Sequence, residues 1–166
     1  MQASRQIECR AALKADLPEV LRLYAQSAID HGRVLDPGDA EKLFDRLARY
    51  PDYSVHVAIR DGRIVGSFAL LIMDNLAHQG APSAVIEDVA VDPQLQGQGI
   101  GQAMIRHALR LCGAKGCYKA ALSSNLKRER AHAFYESLGF ERHGYSYRVM
   151  PVPPLPADTA PQGPRG

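Results

Sequence analysis

Two carboxylates, Glu87 and Asp88, interrupt the apolar run SAVIEDVAV, and shortly after it three glycines stand at alternate positions, Gly97, Gly99 and Gly101. A carboxylate set in an apolar strand is a candidate general base. Neighbouring strand side chains point to opposite faces, so Glu87 and Asp88 can serve one site together only across a bulge. The glycines raise a different chemistry. N–H groups at a helix start, with about half a positive charge from the macrodipole, form an anion site, and removing Cβ lets phosphate oxygens approach. Inside a helix Gly101 costs about 1 kcal/mol against alanine, so something must compensate.

The spacing excludes the common nucleotide loops. A Walker loop needs Gly-Lys-Ser/Thr, where this chain has Gly101-Gln102-Ala103. A dinucleotide fingerprint is G-x-G-x-x-G with an acidic residue about 20 positions on; here the spacing is G-x-G-x-G and the following strand reads KAALSS. What remains is Gln96-x-x-Gly99-x-Gly101 at a strand-to-helix turn. The histidines are scattered without ligand spacing, so no metal is expected.

The elements around these residues follow from periodicity. Residues 7–12 read as a strand, and ADLPEVLRLYAQSAI as an amphipathic helix with Asp16 as N-cap and an early proline. A second helix is expected from about 37 to 49, with Leu43, Phe44 and Leu47 on its buried side. Val55, Val57 and Ile59 alternate before Asp61-Gly62, the signal for a tight hairpin. A strand over 83–91, a helix after the glycines, a strand in CYKAALSS, a short helix in RERAHAFYESLG and a closing strand or strand pair in FERHGYSYRVM complete the order β-α-α-β-β-β-α-β-α-β. This predicts an α/β (α+β) domain with a mixed, mostly antiparallel sheet and helices on both faces. Residues 1–150 form that domain, and the proline-rich residues 151–166 read as an appended tail.

Length and composition narrow the class. One domain is the simplest division of 166 residues. Twenty basic against eighteen acidic side chains give a net charge of +2, which argues against nucleic acid as partner. No apolar stretch reaches the length of a membrane span, and the N-terminus lacks the apolar core of a signal peptide. With an odd number of cysteines and no C-x-x-C, a reducing, cytoplasmic setting is expected.

The glycine turn after Val89-Ala90-Val91, together with AFYESLGF at 133–140, resembles the coenzyme A pyrophosphate loop and following helix of the GNAT superfamily of N-acetyltransferases. The resemblance extends over about 7–150 in element order. It implies a sheet splayed between strands 4 and 5, where acetyl-CoA inserts as cosubstrate. Backbone groups of Val89, Ala90 and Val91 would line the pantetheine arm. The amides of Gln96, Gly97, Gln98, Gly99, Ile100 and Gly101 would hold the pyrophosphate. An alkylammonium is only about 0.1% neutral at pH 7, so attack on a thioester needs a base. The resemblance implies Glu87 for that role and Tyr135 beside the departing sulfur, with Asp88 as the neighbouring alternative. The family often carries asparagine four residues before that tyrosine; Ala131 stands there, and Asn125 is the substitute candidate for cofactor contact. Arg128 is a candidate for substrate or phosphate.

Two branches are similar to different stretches. AVIEDVAVDPQLQGQGIG with GCYK resembles glucosamine-phosphate N-acetyltransferases, and SSNLKRERAHAFYESLGF with HGYSYRV resembles aminoalkylphosphonate N-acetyltransferases. Both imply a small anionic amine, which Arg128, Arg142 and His143 would suit. Acetylation of a protein amino group and non-catalytic sensing of acetyl-CoA stay open as alternatives. Superfamily members often pair through sheet edges or C-terminal strands, so the resemblance also allows a homodimer.

Overall fold

The computed structural model describes residues 6–27, 29–30 and 32–149. The proline-rich tail expected from 151 lies outside them. The elements are β1 (Glu8–Ala11), α1 (Leu17–Gln26), α2 (Pro37–Leu47), β2 (Tyr53–Arg60), β3 (Arg63–Met73), β4 (Ser83–Val91), α3 (Ile100–Ala114), β5 (Lys119–Ala121) and α4 (Glu129–Ser137). The sheet runs in chain order from β1 to β5, antiparallel except for the parallel pair β4–β5. The fold class is therefore the one expected. Among the described residues no helix is long and apolar enough to cross a membrane.

Local signals account for most boundaries. Asp61 and Gly62 turn β2 into β3 with φ of 51° and 72°, the left-handed pair a two-residue hairpin demands. Asp36 caps α2 by accepting from the N–H groups of Gly38 and Asp39. Asp16 precedes α1 as expected, but its carboxylate does not cap that helix. It accepts instead from the Arg10 guanidinium at 2.6 and 3.1 Å and from the Leu13 N–H at 2.7 Å. A charged partner on β1 outcompetes the free N–H groups of the helix start.

Period-two alternation divides the core between the two faces. Phe68, Leu70 and Ile72 of β3 with Ile86 of β4 pack beneath Ile100, Met104 and Ile105 of α3. Val57 packs with Ala12 and Val20 on the other side, together with Tyr24 and Phe44. Gly66 on β3 lets α3 approach, since a Cβ there would lie 2.5 Å from Met104 Sδ and 3.1 Å from Ile100.

The closing strand is not formed. Residues 140–149 carry no ladder, and Tyr145, Tyr147 and Val149 are 89, 91 and 83% exposed. The alternation is present, but a strand needs a neighbouring edge as well as a pattern. Among the described residues the segment is held through Phe140 against Tyr135, the Arg142–Glu136 ion pair and a 3.4 Å contact between the hydroxyls of Ser146 and Ser123.

Two stability outcomes follow. Gly66→Ala should cost about 2 kcal/mol by driving a methyl into α3, measured by urea unfolding; a neutral effect would mean that the helix–sheet spacing is soft. Arg10, by its hydrogen bonds, holds the Asp16 carboxyl below the ordinary carboxylate range. Its contribution is then complete above the unfolded pKa near 3.9 and lost as pH falls through the folded value. Asp16→Asn should cost about 2 kcal/mol at pH 7, with the gap to wild type closing in acid; a gap constant with pH would assign the loss to packing.

Candidate active site

The glycine turn is held from behind. Asp92, directly after β4, caps the turn by accepting from the Gln94 N–H at 3.0 Å and from Arg22 of α1 at 3.1 Å. Arg22 also donates to the Ile64 carbonyl at 3.2 Å. Arg60, only 8% exposed at the end of β2, donates to Gln98 Oε1 at 2.9 Å. Gly97 and Gly99 then take φ of 75° and 82°, a region that penalises any Cβ. Gly99 is the N-cap of α3, with no side-chain cap bond and no acidic residue in the first turn. Its N–H groups are left for an anion.

Gly101 has a further reason. A Cβ there would sit 3.1 Å from Phe134 Cζ, so the missing side chain lets α4 lie against α3. The penalty expected for a helical glycine is offset by this packing. Ile100 and Ala90 are core residues, 1 and 2% exposed, and reach the site only through their backbones. Val89 and Val91 pack half-buried against the same core, and Gln96 is exposed.

Beyond the turn the sheet opens. β4 and β5 pair only at Ser83↔Lys119, Ala84↔Ala120 and Val85↔Ala121. Past Val85 the outer edge of β4 has no strand neighbour among the described residues, and a cavity of about 180 Å³ fills the gap. Glu87, Asp88 and Val89 line one wall, and Leu122, Ser123 and Ser124 the other. Tyr135 and Arg128 close it from the α4 side. Burial pushes the Tyr135 phenol above its ordinary pKa, against the lowering charge of Arg128. Asn125 does not line this cavity; its carboxamide oxygen accepts from the Lys127 N–H at 2.9 Å. Arg142 pairs with Glu136 at 2.5 Å.

The two carboxylates meet through a bulge. The β3–β4 register shifts between Ser67 and Ala69, and Asp88 has φ of 52°. This breaks the alternation, and Glu87 and Asp88 both line the splay cavity. The Tyr53 phenol is raised by burial and then by the charges of Asp88 and Glu87. Tyr24 is pushed up to about 12, chiefly by burial and also by Asp88. Asp88 is itself raised by burial and by Asp30.

A second, larger groove of about 510 Å³ lies on the α2 side of the sheet. Leu43, Arg46 and Leu47 of α2 face Ala69, Leu71 and Val85 of the sheet, with Tyr50 and Tyr53 at its side and Glu87 in its wall. Of the residues lining the two cavities, Glu87 is the one they share. An amine in the groove and a thioester in the splay would approach one carboxylate from two sides.

Tyr24, Asp30, Tyr53, Arg60 and Arg46 were not legible as site residues. They come from α1 and the turn after it, from α2 and from β2, and only the fold gathers them. One faint signal existed: Arg60 ends an apolar strand just before its tight turn, an unusual place for a buried cation.

Residues 17–140 match the acetyltransferase (GNAT) family. A glucosamine 6-phosphate N-acetyltransferase of Trypanosoma brucei brucei is 42% identical over 88 residues, which are 53% of this chain and 58% of that protein. An aminoalkylphosphonate N-acetyltransferase of Salmonella typhimurium is 28% identical over 143 residues, 84% of this chain and 88% of that protein. The crystal structure of a Trypanosoma brucei acetyltransferase superposes with a TM-score of 0.76 at 32% identity, covering 87% of this chain and 99% of that one. With the glycine turn, the opened β4–β5 pair and a family match spanning most of its length, this chain belongs to the GNAT family of acetyltransferases.

Proposed function

We propose that the chain is an N-acetyltransferase that moves the acetyl group of acetyl-CoA to a primary amine of a small molecule in the cytoplasm. The observation that carries this reading is the place of Glu87, on the wall between the splay cavity and the groove. The glycine turn fits the coenzyme: its left-handed glycines expose amides at the uncapped start of α3, with the buried Arg60 guanidinium behind them. The amides from Gln96 to Gly101 would hold the pyrophosphate, and the backbone of Val89 to Val91 the pantetheine arm. When bound, acetyl-CoA supplies the activated acetyl group.

The residues of the chain manage the protons. Glu87 takes one from the ammonium, so that the neutral nitrogen attacks and the new C–N bond replaces the C–S bond. Asp88, which burial and Asp30 keep less acidic than an ordinary aspartate, adds negative charge that draws the ammonium in. Tyr135 faces the splay cavity as a neutral phenol. A thiol near pKa 8.5 is more acidic than this phenol, so proton transfer from Tyr135 to a thiolate runs uphill. Its role is a hydrogen bond to the departing sulfur. The relatives named above act on amines carrying a phosphate or phosphonate, which supports a small anionic acceptor here.

Glu87→Gln should lower kcat by about 100-fold or more while acetyl-CoA still binds, and Asp88→Asn should do less, in a thiol-release assay. Unchanged turnover in Glu87→Gln removes it as base. Tyr135→Phe should lower kcat by about tenfold with little effect on the acetyl-CoA KM. Because the phenol is shifted above its usual value of 10.0, Tyr135 should contribute no alkaline fall in kcat below that pH; a fall absent from the phenylalanine variant would show that its ionisation matters.

A further inference from the structure

We propose that the groove beneath α2 selects an acceptor with three parts: a primary amine, an apolar or aromatic body, and an acidic group. The proposal rests on Glu87 as the catalytic base and extends that reading to what the rest of the acceptor must be.

The groove's two charges are of opposite sign, Glu87 on β4 and Arg46 near the end of α2. Among the described residues Arg46 takes part in no ion pair, whereas Lys42 is paired with Asp39 and Lys14 with Asp45. The guanidinium therefore stands open to a planar or tetrahedral anion. The rest of the lining is apolar and aromatic. Leu43 and Leu47 come from α2, Leu71 and Val85 from the sheet, and Tyr50 and Tyr53 supply ring faces. Leu43, Arg46 and Leu47 follow the i, i+3, i+4 stripe that keeps them on one side of α2, and Tyr50 follows three residues past its end.

The amine end is equally determined. Glu87, Asp88 and Asp30 gather carboxylates near Tyr53 and Tyr24, which favours a cationic group at that point and disfavours an anionic one. The acidic group of the acceptor then falls to Arg46, the groove's cation. At about 510 Å³ the groove is in the range of ordinary small-molecule sites, with room for a body longer than a two-carbon chain. Leucine walls offer no partners to sugar hydroxyls, and burying those unpaired is unfavourable. The acidic group is shared with the substrates named for the relatives; the apolar body separates this acceptor from a sugar phosphate.

The test measures acetyl-CoA thiol release by the full chain and by Arg46→Gln. The amines are 4-(aminomethyl)benzoate, its phosphonate counterpart, neutral benzylamine, 2-aminoethylphosphonate and glucosamine 6-phosphate. Either aromatic acid should exceed benzylamine, 2-aminoethylphosphonate and glucosamine 6-phosphate by about tenfold in kcat/KM, the factor of one charge-assisted hydrogen bond. The two aromatic acids compared with each other show whether carboxylate or phosphonate is preferred. Arg46→Gln should raise KM for the acids about tenfold more than for benzylamine, with kcat nearly retained. Preference for glucosamine 6-phosphate, or an equal loss for acid and neutral amines in Arg46→Gln, overturns the groove assignment and leaves the acetyltransferase reading intact. Thermal shift separates the remaining case. If no amine is turned over but 4-(aminomethyl)benzoate raises Tm in wild type and not in Arg46→Gln, the groove's selectivity stands and the catalytic reading fails. Neither turnover nor shift overturns both.

Discussion

The site is organised by one break in strand alternation. Asp88 adopts a left-handed backbone inside β4, a conformation that costs an L-residue about 1 kcal/mol and that aspartate tolerates better than most. The consequence is geometric. Two adjacent carboxylates that a regular strand would send to opposite faces instead reach one cavity, and the β3–β4 register shifts by the bulge. On the other side of β4 the ladder to β5 ends after Val85, so the same strand carries a bulge toward one neighbour and a gap toward the other.

Around that strand the supports are mechanical as well as electrostatic. Arg22 ties the start of the glycine turn to α1 and the β3 backbone, and Arg60 ties its middle to β2. The third glycine works on the far side of the turn, where the Phe134 ring rests on it. This contact connects the uncapped start of α3 to α4, the helix that carries Tyr135. The turn and the phenol therefore share one packing interface, and a bulky residue at Gly101 would disturb both.

The features that mark the family and the groove proposed for the acceptor lie in different parts of the molecule. The turn, the opened strand pair and α4 are the parts on which the resemblance rests. The groove is built largely from α2 and the edges of the sheet, and fold alone does not dictate its lining. Leu43 and Leu47, which periodicity marks as the buried side of α2, are only half-buried and line that groove, while Phe44 packs in the core.

Much of the fold was legible because its signals are local. Proline and aspartate at helix starts, Asp61-Gly62 at the hairpin and the alternation of β2 act over a few residues, where backbone sterics and capping decide the outcome. The glycine turn was legible for the same reason, and so were Glu87, Asp88 and Tyr135 as chemistry-bearing residues. The closing strand failed because Tyr145, Tyr147 and Val149 have the right period but no edge to pair with, and pairing is not a local property. The sequence by itself determined the elements from β1 to α4, the glycine turn and the family. Only the tertiary structure decided that Glu87 and Asp88 line one cavity, that Gly101 serves Phe134, and that Arg46 and Glu87 line one largely apolar groove. Each of those depends on segments far apart in the chain meeting at a few ångströms, which residue spacing along one strand or helix does not encode.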